Sequence, residues 1–208
     1  MILIGQYDSS FVRRVGIALR LYGLPFEHRP WSVFSDAEKV QALNPLMRVP
    51  TMVLDDGFVL VDSNTMLDHI DGLVAEEHRL WPNGGERRQA QRVAALATGL
   101  ADKAVSLFYE LRLHDSPSPL WEERCIAQIR ATLEALERER AERSGNHLFG
   151  GRITHADIAL TCALRHASES HPQLIDLTGF PALAAHCRHF EAQPPFQEIS
   201  QPFIPPAS

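Results

Sequence analysis

The chain has 208 residues, 45% hydrophobic and 22% charged, a balance that supports a buried core in one large domain or two small ones. Its formal charge of -6 speaks against nucleic acid and against an anionic membrane surface as partners, because both need a basic face. No apolar run reaches the roughly 20 residues of a membrane span, and the start M-I-L-I-G-Q-Y-D lacks the basic-then-apolar pattern of a secretion signal.

Strand and helix signals alternate over residues 1–75. Ile2-Leu3-Ile4 suits a short buried strand, and Phe11, Val15, Ala18, Leu19 and Tyr22 follow at helical spacing, stopped by Gly23 and Pro25. Phe26 to Pro30 reads as a second strand, completing a βαβ unit with a parallel pair. Asp36 to Leu43 is a short helix ended by Asn44-Pro45. Thr51–Leu54 and Phe58–Val61 form a hairpin about Asp55-Asp56-Gly57, whose Asp-Gly turn is the main signal. Ser63 opens a helix to about Val74.

Residues 76–85, with Pro82-Asn83-Gly84-Gly85, read as a linker, and residues 86–208 as an all-helical domain. Long amphipathic stretches run from Glu86 to about Leu113 and from Leu120 to about Arg143. The second ends in Glu-Arg-Glu-Arg-Ala-Glu-Arg, read as a solvated face with weak ion pairs. Further helices start at Thr154, where Thr154 and Asp157 have capping-box spacing, and near Pro181. Cys125, Cys162 and Cys187 are odd in number and far apart, which reads as buried thiols in a reducing cytoplasm rather than a disulfide framework. The histidines give no metal-ligand pattern, and His186 with His189 reads as a solvated face.

Three positions carry candidate chemistry. Asp8-Ser9-Ser10-Phe11 lies where the first strand meets the first helix, a place that favours an anion; its serines are either donors to a thiolate or a helix N-cap. Val49-Pro50 at a strand entrance is either a cis bond, with the Val49 backbone turned toward an extended peptide, or an ordinary trans bond. Asp62-Ser63 is either a clamp for an amino-acid head group or a second N-cap. All three fall at one edge of a small α/β sheet, where ligands bind in such folds.

The ordered set S-S-F-V-R-R-V at 9–15, N-P-x-x-R-V-P-T at 44–51, D-S at 62–63 and G-x-I-T-x-A-D-I at 151–158 resembles the cytosolic glutathione transferase superfamily. The resemblance covers nearly the whole chain, including F-P-x-L at 180–183. It implies a thioredoxin-like N-terminal domain, a helical-bundle C-terminal domain and a homodimer in the cytoplasm. It also implies glutathione as co-substrate with no bound cofactor and no metal. Ser9 then stabilises the glutathione thiolate and Ser10, which stands where many bacterial members have proline, serves the helix start. Phe11, Arg48, Val49, Pro50, Asp62 and Ser63 are the implied glutathione-binding residues. Phe108, Tyr109, Arg112 and Leu113 are candidates for the electrophile pocket or for ordinary core packing.

The implied activity is transfer of glutathione to a small electrophile. A glutathione-dependent reductase or peroxidase is a rival, although no cysteine lies in residues 1–124 where such enzymes commonly carry one. Ser9-Ser10 and Ile17-Ala18-Leu19 also resemble maleylacetoacetate isomerase, with Phe11 in place of its cysteine. A non-catalytic binding module on the same fold is the third alternative.

Overall fold

The computed structural model describes residues 1–205. The chain forms two compact units, one comprising Met1–Trp81 with the segment from Gln193 onward, the other Pro82–Ala192.

In the first unit β1 (Ile2–Ile4), β2 (Glu27–Arg29), β3 (Thr51–Val53) and β4 (Val59–Val61) form a sheet in the order β2-β1-β3-β4. β1 and β2 are parallel, as the βαβ unit requires, while β3 runs antiparallel to both β1 and β4. The helices are α1 (Ser10–Leu21), α2 (Ala37–Gln41) and α3 (Ser63–Asp71). Leu3, Ile4, Val12, Val15, Leu19, Met52, Met66 and Ile70 make the core.

Two segments read as linker or helical domain belong here instead. Residues 76–81 are latched to the first unit, where the Tyr22 hydroxyl accepts from the Leu80 N–H at 2.6 Å and donates to Asp71, and Arg79 Nε donates to the Asp71 carbonyl at 3.2 Å. The C-terminal segment, grouped by the sequence with the helical half, returns as α8 (Pro194–Glu198) onto α1. The cause is Arg13, a guanidinium 2% exposed at the end of the first turn of α1. Its Nε donates to the Ile199 carbonyl and its Nη2 to the Phe196 carbonyl, both at 2.8 Å, and its charge lies over the Phe196 ring at 5.9 Å. A buried charge without such acceptors costs several kcal/mol. Gly16 leaves room for the approach, since a Cβ there would stand 2.8 Å from Ile199 Cγ2.

The second unit contains α4 (Glu86–Leu113), α5 (Pro119–Ala141), α6 (His155–Ser170) and α7 (Pro181–Glu191). Ala90, Val93, Ala94, Ala97, Leu100, Ala101, Ala104 and Leu107 make one buried stripe along α4, and the small residues let α6 lie close. Buried residues surround α6 on every side from His155 to Leu164, the signature of a central helix. Its start is a true capping box. Asp157 accepts from the Thr154 N–H at 2.8 Å and the Thr154 hydroxyl at 2.6 Å, and its other oxygen takes the Leu148 N–H at 2.8 Å. Burial pushes the Asp157 carboxyl above the usual carboxylate range, against the pull of those bonds. α7 has no side-chain cap of its own; Glu137 of α5 supplies one, accepting from the N–H groups of Ala182 and Leu183 at 2.9 Å each.

Two surface readings change. Arg140, in the charged run of α5, is 8% exposed and donates to the Arg143 carbonyl at 3.0 Å and the Gly145 carbonyl at 2.5 Å, so it closes the helix end. His186 is buried against Phe190, with ring centroids 4.6 Å apart, rather than solvated. The sequence placed both on faces because helical period alone does not say which neighbours cover them. Among the described residues no helix is long and apolar enough to cross a membrane.

Burial lowers the His186 pKa from 6.5 to about 3, aided by Arg140, His189 and His147 and opposed by the Asp157 carbonyl facing its Nε2. The unfolded chain therefore takes up this proton near pH 6.5 while the folded chain stays neutral. The stabilisation is present above pH 6.5 and lost as the pH falls toward 3. We expect the wild-type protein to lose up to about 1.4 kcal/mol per pH unit more than His186→Gln across that window, measured by denaturant unfolding at stepped pH.

Candidate functional site

The strand register gathers the site. Ile4 at the end of β1 pairs with Thr51 at the start of β3, and Thr51 pairs with Val61 at the end of β4. The turn into α1, the loop before β3 and the turn into α3 therefore leave the sheet from one row of residues. Gly5 tightens the row. Its φ is +127, and a Cβ there would lie 2.5 Å from Val12 Cγ2 and 2.7 Å from Val49 Cβ. Arg14, on the turn of α1 after Arg13, donates through Nη2 to Asn64 Oδ1 at 2.8 Å and ties α1 to the first turn of α3.

Ser9 is the N-cap of α1, and its Oγ accepts the Val12 N–H at 3.5 Å. The sequence assigned the helix start to Ser10; the structure gives it to Ser9. Ser10 is instead the first helical residue, 5% exposed, with a buried hydroxyl that has no hydrogen-bond partner among the described residues. Capping uses a lone pair of the Ser9 hydroxyl and leaves its hydrogen, which has no acceptor among the described residues, available to a ligand. Phe11 follows, half-buried. The first turn of α1 holds no acidic residue, so the positive end of its dipole favours an anion at this edge, while the N-terminus of α3 is capped by the Asp62 carboxylate.

The Val49–Pro50 bond is cis. Neither the N–H nor the C=O of Val49 has a partner among the described residues. Arg48 is exposed at the surface beside it and Pro50 is buried. The residue that shapes this loop, missed by sequence reasoning, is Asn44. It is buried, its amide donates to the Arg48 carbonyl at 2.9 Å and to Thr51 Oγ1 at 3.1 Å, and its Oδ1 accepts the Leu46 N–H at 3.0 Å. Thr51 Oγ1 donates to the same Arg48 carbonyl at 3.0 Å. In the sequence Asn44 is read as a helix stop before proline and as the first residue of the 44–51 motif, with no part in shaping the loop.

Asp62 is the N-cap of α3, with Oδ1 accepting the Asn64 N–H at 2.7 Å. Its φ of 72 and ψ of 130 put a non-glycine residue outside the ordinary regions, a cost of about 1–3 kcal/mol that structures retain at functional positions. Ser63, 2% exposed, has a hydroxyl with no partner among the described residues. Asp62, Ser63, Val49 and Ser9 thus offer a carboxylate oxygen, a hydroxyl, a backbone pair and a second hydroxyl at one sheet edge.

Phe108, Tyr109, Arg112 and Leu113 form a separate group at the C-terminal end of α4, in the second unit. Phe108 is half-buried with its ring edge-on to His171 at 6.3 Å, and the other three are exposed. Among the described residues no three His, Cys, Asp or Glu side chains are grouped to hold a metal ion.

Comparison with known proteins gives a consistent result. The family profile "Glutathione S-transferase, N-terminal domain" matches residues 3–78, and "Glutathione S-transferase, C-terminal domain" matches 119–189. A probable glutathione S-transferase of Oryza sativa subsp. japonica is 27% identical over 91% of this chain and 84% of its own. The maleylacetoacetate isomerase of Mus musculus is 25% identical over 97% of this chain and 92% of its own. Among solved structures, a glutathione S-transferase of Methylobacterium radiotolerans in complex with glutathione sulfonate superposes with a TM-score of 0.88 at 28% identity, over 100% of this chain and 99% of that one.

Gly5→Ala should drive the Val49 loop from β1 and destabilise the protein by about 2–5 kcal/mol, combining φ strain with overpacking. Gly99→Ala is the control, because it lies within α4 with nothing within 4 Å of the added Cβ, and helix propensity favours it by about 0.8–1 kcal/mol. Thermal and denaturant unfolding of the two variants read the contrast.

Proposed function

The chain belongs to the glutathione transferase superfamily, and from that premise we propose that its first unit binds glutathione, lowers the thiol pKa and presents the thiolate to a small electrophile. The observation that carries this reading is the row Ile4–Thr51–Val61, from which Ser9, Val49 and the Asp62-Ser63 pair diverge to one edge. Glutathione is an extended peptide with a carboxylate at each end, an ammonium group and a thiol, and each has a complement here. The Val49 backbone pairs with the cysteinyl residue as a further strand would. Ser63 and the free N–H groups of α3 take the γ-glutamyl carboxylate, Asp62 takes its ammonium group, and Arg48 takes the glycyl carboxylate. Ser9 lies where the sulfur falls and donates its hydroxyl hydrogen to it. Phe11 and Pro50 flank these groups as apolar walls.

A free cysteine thiol titrates near 8.5, so only a few per cent is ionised at neutral pH. A hydroxyl donor and the α1 dipole both favour the anion. The thiolate attacks an electrophilic carbon, forming the C–S bond as the leaving group departs with its electron pair or as a conjugated double bond accepts it. Phe108, Tyr109, Arg112 and Leu113 are the residues we assign to the electrophile.

A second reading has one specific support, the likeness to the mouse maleylacetoacetate isomerase over 97% of this chain. There the same thiolate would add to a double bond and leave again after rotation, with glutathione regenerated. Release of a glutathione conjugate, against isomerisation with no net thiol consumption, separates the two readings.

Ser9→Ala should reduce turnover at neutral pH by on the order of 10²-fold, the usual loss for one donor at an anion, with a much smaller change in glutathione affinity. Its pH–rate profile should move to higher pH, and alkaline solution should partly rescue it. Ser10→Ala should match wild type, because its hydroxyl has no partner to lose among the described residues. A shifted profile for Ser10→Ala and not for Ser9→Ala would transfer the role to Ser10, and no shift in either would end this account of thiolate stabilisation.

We also read the protein as a homodimer. Leu46 and Phe58 of the first unit and Leu120 of the second are each more than half exposed, apolar side chains that a second copy of the chain would cover. Sedimentation at micromolar concentration should give twice the chain mass, and a monomer throughout that range would exclude it.

A further inference from the structure

The turn that carries Ser9 is held from an unexpected direction. Between β1 and α1 the Ser9 N–H donates to the Gln6 carbonyl at 3.2 Å. Two further bonds come from the far end of the chain. The Ile204 N–H donates to Asp8 Oδ2 at 3.1 Å, and the Tyr7 N–H donates to Gln201 Oε1 at 3.4 Å. These residues are separated by 196 and 194 positions in sequence.

The segment that supplies them is anchored just upstream. The Arg13 guanidinium holds the Phe196 and Ile199 carbonyls, Glu198 pairs with Arg20, and Gly16 admits the Ile199 side chain. From this anchor on the side of α1 the chain runs past Tyr7 and Asp8, the two residues before Ser9. The guanidinium bonds of the first attachment are buried. The second engages an otherwise short and polar turn, whose freedom would blur the direction of the Ser9 hydroxyl. The Ile204 N–H also takes one oxygen of Asp8, a carboxylate next to Ser9 whose charge opposes a neighbouring thiolate. Tyr7 is further fixed by its ring, which stacks on His28 at 3.8 Å between centroids with 7° between the planes.

We propose that Ser200–Pro205 is a positioning strap for the Tyr7–Ser9 turn, with Ile204 and Gln201 as positioning residues that aim the Ser9 hydroxyl at the glutathione sulfur. This rests on the function proposed above. Among the described residues the strap makes no hydrogen bond to Val49, Asp62 or Ser63, so it acts on thiolate stabilisation rather than on the grip of those residues on the peptide.

The contact is through a backbone N–H, which gives a sharp test in the full-length protein. Ile204→Pro removes that N–H and keeps an apolar residue, while Ile204→Val keeps both. Turnover and pH–rate profile with glutathione and a generic aromatic electrophile, and glutathione titration by calorimetry, are measured for wild type and both variants. Ile204→Pro should lose roughly 10-fold or more in kcat at neutral pH, within the range that misaligned catalytic groups show. Its profile should be displaced to higher pH, its glutathione affinity should stay near wild type, and Ile204→Val should be indistinguishable from wild type. An unshifted profile for Ile204→Pro beside an active wild type overturns the strap alone, whether activity is retained or falls uniformly. A wild-type protein that neither binds glutathione nor turns over overturns the functional reading, and the strap's role with it.

Discussion

The site depends first on how closely the chain can approach itself at Gly5. The strand pairing sets Ile4, Thr51 and Val61 in one row, but pairing alone leaves the loops after the row free to splay. They are drawn together because Gly5 has no side chain, so Val12 of α1 and Val49 of the Arg48–Pro50 loop meet over its backbone. A β-carbon at this point would intrude on both. From that contact follow the place of the α1 N-terminus and the place of the Val49 loop beside it. Asn44 and Thr51 then hold the Arg48 carbonyl inward, and the loop has little freedom left.

The same unit places two arginines inside α1, and each is used to join distant parts of the chain. Arg14 reaches the first turn of α3 and Arg13 the carbonyls of the C-terminal segment. A guanidinium is suited to this because its planar fork donates to several acceptors at once and stays charged at any working pH. Removing the acceptors would strand a buried charge, so the C-terminal segment is bound to α1 far more firmly than its short length suggests. That is why a segment following the helical unit in sequence folds with the first unit.

The helical unit answers a different problem, the unsatisfied backbone groups at helix ends. α6 is buried all round, and its start cannot be capped by water; Thr154 and Asp157 satisfy it internally. α7 borrows the Glu137 carboxylate from α5, and the end of α5 folds Arg140 back onto the carbonyls beyond it. Burying His186 beside Phe190 completes this packing and leaves an imidazole that stays neutral well below its usual pH.

The sequence determined the element types, the βαβ order, the Asp-Gly hairpin, the capping box at Thr154 and the three motif positions at the sheet edge. These are local properties, written in periods of two and 3.6 and in residues with special backbone preferences. The Ser9-Ser10 and Asp62-Ser63 pairs were each legible as a cap or a ligand group, and the structure shows the cap in Ser9 and in Asp62, with hydrogen-bonding capacity left over. Only the tertiary structure decided that His186 and Arg140 are inside, that Asn44 shapes the Val49 loop, that residues 76–81 join the first unit, and that Ile204 reaches Asp8. Each of these is a contact between residues far apart in the chain or a matter of which neighbour covers a face. Local pattern cannot encode them, because burial and long-range hydrogen bonding are set by what the rest of the chain brings alongside.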